Sequence, residues 1–187
     1  LASVSTIKIG TLGRLSPQKN PQDFKKLAKA FITEEKVEFM WIGGGEDYCN
    51  LCELKNVMVT GWLPRKEALQ VLSQLDIYLQ TSLWEGMPLS VIEAMLAGIP
   101  VIVRDAVGNR DVVEHGKTGF VASSPEEMLG FTQRLLIDSK LRLEMGKTAQ
   151  TRARDRFCLG RLHREIKELY SGTYKKIETR SQESNHG

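Results

Sequence analysis

Residues 76–103 read DIYLQTSLWEGMPLSVIEAMLAGIPVIV, and this stretch decides the fold. Asp76–Leu79 is a short apolar strand, and Val101–Val103 is a second one. Between them Pro88–Ala97 has helical spacing and is stopped by Gly98 and Pro100, a glycine and a proline that cannot extend the helix. A strand, a helix and a strand of these lengths form a right-handed crossover, so the two strands lie parallel.

The same alternation extends outward in both directions. Ile7–Thr11 reads as a strand, and Asn20-Pro21 supplies an N-cap and a first helical residue. Phe24, Leu27, Ala28, Phe31 and Ile32 then recur at helical spacing. Val37–Ile42 and Val57–Thr60 are further strands, with a short helix over 46–54 between them. Gly61-Trp62-Leu63-Pro64 opens a helix with a core face of Ala68, Leu69, Leu72 and Leu75. Gly119–Ala122 is a sixth strand. From Pro125 the chain reads as helical through 130–138, 140–156 and 159–177, and the polar tail 178–187 reads as disordered. The pattern predicts one α/β domain over residues 1–177, a three-layer doubly wound parallel sheet of Rossmann-like type with a helical C-terminal extension.

Composition agrees with a globular domain of 187 residues, 41% hydrophobic and 26% charged. No apolar run reaches the roughly 20 residues that span a bilayer. The chain opens on Leu1 without a methionine, which suggests an excised or processed fragment. A formal net charge of +3 does not call for nucleic acid, and the basic stretch lacks the interleaved aromatics of a single-strand binder. The charge is uneven, because residues 140–177 hold most of the surplus Lys and Arg. A basic helical surface of this kind suits peripheral contact with anionic lipid, although a solvated helix face explains the same run. Cys49 and Cys52 form a CxxC pair without the second pair that a structural zinc site needs, and the three histidines are scattered. No metal site is expected.

In an open parallel sheet, ligands bind beyond the carboxyl ends of the strands. Arg14 and Lys19 follow the first strand, Gly43-Gly44-Gly45 the second, Trp62 the third and Glu85 the fourth, so all fall on one rim. Pro88 suits the first turn of its helix, whose N-terminus is an anion site built from backbone N–H groups near Gly86, Met87, Pro88 and Leu89. Gly86 has no side chain to keep a phosphate away. Val91, Ile92, Met95 and Leu96 form the apolar stripe of that helix, which turns Glu93 toward the ligand side. Carboxylates accept from paired sugar or ribose hydroxyls, and Arg14 and Lys19 neutralise phosphate. A nucleoside diphosphate sugar suits this constellation. The triple glycine is no dinucleotide fingerprint, because Tyr48 stands where G-x-G-x-x-G needs its third glycine. It reads instead as a turn that lets the backbone approach the nucleotide.

These residues together resemble the family 4 retaining glycosyltransferases of the GT-B fold. The resemblance rests on Gly13-Arg14-Leu15 with Lys19, Glu85-Gly86 with Glu93-Ala94-Met95, and Gly98-Ile99-Pro100-Val101. Gly108-Asn109-Arg110-Asp111-Val112-Val113, Gly116 and Gly119 are similar to the next block, so the likeness runs from about residue 7 to residue 122. It implies the C-terminal, donor-binding half of a GT-B enzyme that moves a hexosyl group to a glycan or lipid-linked acceptor in bacterial surface polysaccharide synthesis. Glu85, Arg14 and Lys19 would carry the catalysis, and Gly13, Gly43, Gly44, Trp62, Gly86, Met87, Pro88, Leu89 and Glu93 would complete the donor site. Glu85 would hold the sugar, Glu93 the ribose, Arg14 and Lys19 the pyrophosphate. Transfer would need no metal or other cofactor.

The acceptor domain of such an enzyme is N-terminal and is not in this chain, so the fragment alone would transfer poorly. The expected location is cytoplasmic, or peripheral on the inner face of the membrane. Met87-Pro88 stands where the family has an aromatic-glycine pair, Val107-Gly108 replaces a double glycine and Asp111 a glutamate, which leaves the sugar open. Two other readings remain: a separate sugar-nucleotide-binding subunit of a two-chain transferase, and a sugar-nucleotide epimerase or hydrolase.

Overall fold

The computed structural model describes residues 6–45 and 51–158, together with positions 160 and 167. Cys49, the first part of the helix expected over 46–54, the rest of the helix expected over 159–177, and the tail 178–187 lie outside the described residues.

Six strands form one sheet: β1 (Ile7–Leu12), β2 (Val37–Ile42), β3 (Val57–Val59), β4 (Ile77–Gln80), β5 (Val101–Arg104) and β6 (Gly119–Ala122). Their order is β3-β2-β1-β4-β5-β6, and every pairing is parallel. This is the strand order of Rossmann-type sheets, with its reversal between β1 and β4. The helices are α1 (Pro21–Ala30), α2 (Arg65–Leu72), α3 (Leu89–Leu96), α4 (Asn109–Val112), α5 (Pro125–Ile137) and α6 (Ser139–Arg156).

Successive strand residues face opposite sides of a sheet. Phe39, Trp41, Ile77, Leu79 and Ile102 accordingly pack with Phe24 of α1 and with Met128 and Leu135 of α5. Their neighbours Met40, Ile42, Tyr78, Val101 and Val103 pack with Ala68 and Leu72 of α2, with Val91 and Met95 of α3, and with Ala149 and Ala153 of α6. The result is three layers with a core on each face. Each large apolar side chain buried in full contributes roughly 1.5–3 kcal/mol.

Local signals explain where the elements begin. The Asn20 side chain accepts from the Asp23 amide at the start of α1, and Ser124 does the same for Glu127 at the start of α5. Two expectations need correction. In α3 the buried face is Val91, Ile92, Ala94 and Met95, while Leu96 is exposed, because the apolar partners of this helix lie in the sheet and in α6. Leu75 is buried as expected but lies beyond α2 in the turn that leads to β4, and Leu69 is half-buried.

Candidate functional site

At the carboxyl ends of β1 and β4, beside the reversal of strand order, lies a cleft of about 440 Å³. Gly13, Arg14 and Lys19 line it from the β1 side, Gly43 and Trp62 from the ends of β2 and β3, and Glu85, Met87, Leu89 and Glu93 from the segment after β4. Leu12, Ile42, Leu63, Arg65, Ala68 and Ser90 complete its wall. Gly44, Gly86 and Pro88 do not line it. Gly44 is buried against the indole of Trp62, Pro88 is buried at the N-cap of α3, and Gly86 is exposed with nothing within 4 Å of where a Cβ would stand.

The β1 loop is held in place by the triple glycine. The Gly13 amide donates to the Ile42 carbonyl at 2.9 Å, the Leu15 amide to the Gly44 carbonyl at 2.9 Å, and the Trp41 indole N–H to the Gly13 carbonyl at 2.9 Å. Gly43 has φ of +135°, and a Cβ there would stand 2.2 Å from the Gly13 carbonyl oxygen. The glycines therefore serve first to let the Gly13–Leu15 backbone lie flat against β2, and only Gly43 of the three reaches the cleft.

Glu85 sits at the centre of a set of donors. The 3-10 turn Pro17–Lys19 is pinned to the segment after β4 by three bonds: Leu83 N–H to the Gln18 carbonyl, Gln18 Nε2 to the Trp84 carbonyl, and Thr81 Oγ1 to the Lys19 carbonyl. That places Lys19 Nζ 2.7 Å from Glu85 Oε1, with the two side chains 18% and 8% exposed. Lys19 is thus engaged by a carboxylate, whereas the sequence suggested a cation held ready for pyrophosphate. Gln80 Nε2 donates to the same oxygen at 2.8 Å. Arg14 is exposed on the cleft wall.

The N-terminus of α3 differs from the expectation in one respect. Leu89 N–H is taken by the Met87 carbonyl at 2.9 Å, and Pro88 has no N–H, so neither offers a donor to an anion. No side chain caps α3, and its positive end still opens at the cleft. Glu93, one turn along, is half-buried and ion-paired with Arg65 of α2 through Oε1. Its Oε2 is buried without a hydrogen-bond partner. An unpaired carboxylate oxygen is costly to bury, and a ligand hydroxyl would satisfy it.

Sequence reasoning did not single out Arg65, Gln80 or Tyr78. A signal for two of them was present, because Tyr78 and Gln80 are polar groups in an otherwise apolar strand at the ligand-facing end of the sheet. Burial pushes the Tyr78 phenol up, against the opposing hydrogen bonds of Ser90, Thr11 and Leu12.

A second depression, of about 550 Å³, lies at the opposite end of the strands among Asp76, Gly98, Pro100, Ser139, Lys140 and Leu143. It lies at the amino ends of the strands, away from the side chains singled out above. Among the described residues no group of His, Cys, Asp or Glu is arranged to hold a metal, and no helix is long and apolar enough to cross a membrane. Part of the basic C-terminal stretch is committed internally: Arg142 donates to the Leu135 carbonyl, and Arg152 to the Val112 carbonyl and to Glu114. Cys52 is exposed and not in a disulfide.

The fold defines a Rossmann-like α/β domain with an open cleft beside the reversal of strand order. The chain belongs to the glycosyl transferases group 1 family, whose model matches residues 3–152. It is 31% identical over 172 residues, 85% of this chain and 44% of the relative, to an Escherichia coli UDP-Gal:alpha-D-GlcNAc-diphosphoundecaprenol alpha-1,3-galactosyltransferase. The chain thus spans less than half the length of that relative. The crystal structure of Anabaena HepE in complex with UDP and glucose aligns with a TM-score of 0.77 at 24% identity, over 90% of this chain and 49% of that one. The C-terminal domain of the group 1 glycosyl transferase LpcC from Francisella tularensis aligns with a TM-score of 0.75 at 22% identity, over 83% of this chain and 88% of that one.

Proposed function

We propose that this chain is the donor-binding domain of a retaining glycosyltransferase, one that passes a hexosyl group from a nucleoside diphosphate sugar to a glycan or lipid-linked acceptor. The observation that carries the reading is the convergence of Arg14, Glu85, Glu93 and the uncapped end of α3 on one cleft. Arg14 and the helix terminus face the diphosphate, the unpartnered Oε2 of Glu93 accepts from the ribose, and Glu85 accepts from hydroxyls of the sugar. The bond from the anomeric carbon to the diphosphate oxygen breaks as the acceptor hydroxyl attacks on the same face and passes its proton to that departing oxygen. The negative charge that develops on the departing diphosphate is met by Arg14, by Lys19 beside Glu85, and by the helix dipole, with no metal required. Neither glutamate forms a covalent bond.

The acceptor side of the cleft belongs to an N-terminal GT-B domain, and the greater length of the curated relatives supports this arrangement. Surface polysaccharide assembly at the inner face of a bacterial membrane is the setting we infer. It draws support from the E. coli relative's diphosphoundecaprenol substrate, with the basic C-terminal stretch 140–177 as the peripheral membrane contact. A thermal-shift screen of the chain against nucleoside diphosphate sugars tests the donor-site reading, with Arg14→Ala and Glu93→Ala alongside. The reading expects at least one sugar nucleotide to raise the parent midpoint and both variants to respond less. No response from any sugar nucleotide, or variants equal to the parent, would sink it.

A further inference from the structure

The donors around Glu85 form an oriented chain. Gln80 is fully buried in β4, and its side chain has one neighbour that fixes its direction. A carboxylate only accepts, so the Gln80 NH₂ must face Glu85 Oε1, 2.8 Å away, and its Oε1 must face Tyr78 Oη, 3.0 Å away. The Tyr78 hydroxyl then donates to Gln80, with the Leu12 carbonyl a more distant second acceptor at 3.4 Å, and Tyr78 Oη accepts from the Leu12 amide at 3.3 Å. The two shorter bonds, from Tyr78 to Gln80 and from Gln80 to Glu85, thus both donate toward Glu85. Lys19 Nζ joins from the other side at 2.7 Å, on the same carboxylate oxygen.

Packing alone gives no reason for this arrangement. The other residues of β4 before it, Ile77, Tyr78 and Leu79, fill the two cores, and a leucine at position 80 would fill its space without burying an amide. An amide buried in that position has one visible consequence, a carboxylate at the cleft wall held by Oε1.

We propose that Gln80 is a positioning residue for the donor sugar: backed by Tyr78, it pins Oε1 of Glu85 so that Oε2 is presented to the sugar hydroxyls. This rests on the donor-site reading above. Gln80 touches no ligand itself and acts only on the sugar end of the site, so its loss separates sugar from nucleotide recognition.

The test measures dissociation constants of the whole chain for the best sugar nucleotide and for the matching free nucleoside diphosphate, in the parent and in Gln80→Leu, Gln80→Glu and Tyr78→Phe. Gln80→Leu should weaken the sugar nucleotide about tenfold, as for a lost hydrogen bond to a charged group, and change the free diphosphate by less than about twofold. Gln80→Glu places a second carboxyl against Glu85, and the two compete for one proton. Its sugar-nucleotide affinity should therefore recover on acidification from pH 8 to pH 6, relative to the parent measured over the same range. The parent reference cancels the other charged or titratable groups around Glu85, namely Lys19 and Arg14 from the β1 loop, Tyr78 of β4, and Glu93 and Arg65 across the cleft. Tyr78→Phe keeps its ring in the core and should show the same selective loss at about threefold, which carries the test if either Gln80 variant unfolds. Equal losses for both ligands, or sugar-nucleotide affinity unchanged in Gln80→Leu and Tyr78→Phe, overturn the proposal while leaving the donor site standing. A parent that binds the free diphosphate and no sugar nucleotide overturns both.

Discussion

Lys19 and Glu85, separated by 66 residues in the chain, meet as a largely buried ion pair with Nζ 2.7 Å from Oε1. The pair joins the loop after β1 to the loop after β4, so it fixes the width of the cleft at its floor. Removing one partner leaves the other charged and poorly solvated. Lys19→Met should destabilise the fold by about 2–3 kcal/mol, less than for a fully buried pair because Gln80 still donates to Glu85. Urea unfolding checks this, and a loss below about 0.5 kcal/mol would mean that the pair is spent on the ligand rather than on the fold.

Arg65 and Glu93 present the opposite case. The Arg65 side chain is 68% exposed, so its pairing with Glu93 is screened by water and contributes under about 1 kcal/mol. Arg65→Ala should leave the unfolding midpoint within a degree or two of the parent. Glu93→Ala should likewise spare the fold yet weaken sugar-nucleotide binding about tenfold, because it removes the acceptor of a charge-assisted hydrogen bond. Calorimetric melts and a binding titration on both variants separate the two effects.

Two glycines of the rim should respond differently to alanine. At Gly43 the φ of +135° and the Gly13 carbonyl 2.2 Å from a Cβ both oppose a side chain, so Gly43→Ala should cost more than about 2 kcal/mol. Gly86 has open space around it, and Gly86→Ala should fold as the parent does. Comparable melting temperatures for the two variants would contradict the account of the β1 loop.

Tyr78 predicts a pH dependence. Burial raises its phenol above the ordinary value of 10.0, while hydrogen bonds from Ser90, Thr11 and Leu12 pull the other way. The unfolded chain thus gives up this proton first, and the native state keeps it to higher pH. The stability from keeping Tyr78 neutral is present in full below pH 10 and falls away as pH rises beyond it. Tyr78→Phe removes that contribution, so its unfolding free energy should fall less steeply above pH 10 than the parent's. Equal slopes would show that the phenol is not buried as described.

Much of this was legible in the sequence because it depends on local chemistry. Asn20-Pro21 announces α1, Gly98-Ile99-Pro100 closes α3, and the alternation of Phe39 and Trp41 with Met40 and Ile42 places one strand between two helical layers. Helix α4 over Asn109–Val112 escaped notice because four residues carry no periodicity. The triple glycine was read as open to the nucleotide, and its main partner is the loop of Gly13 and Leu15, a neighbour that only the folded chain supplies. The pairing of Lys19 with Glu85, the reach of Arg65 to Glu93, and the relay through Tyr78 and Gln80 depend on strand order and on the distance between β1 and β4. No spacing within one segment encodes them.

The most direct test of the donor site is a two-dimensional amide NMR titration of the chain with the sugar nucleotide that raises its melting temperature most. Saturable shifts should gather at Gly13, Gly43, Glu85, Gly86 and Ser90, at the carboxyl ends of β1, β2 and β4. Shifts centred instead on Ser73, Gly98 and Ser139, at the amino ends of the strands, would contradict it.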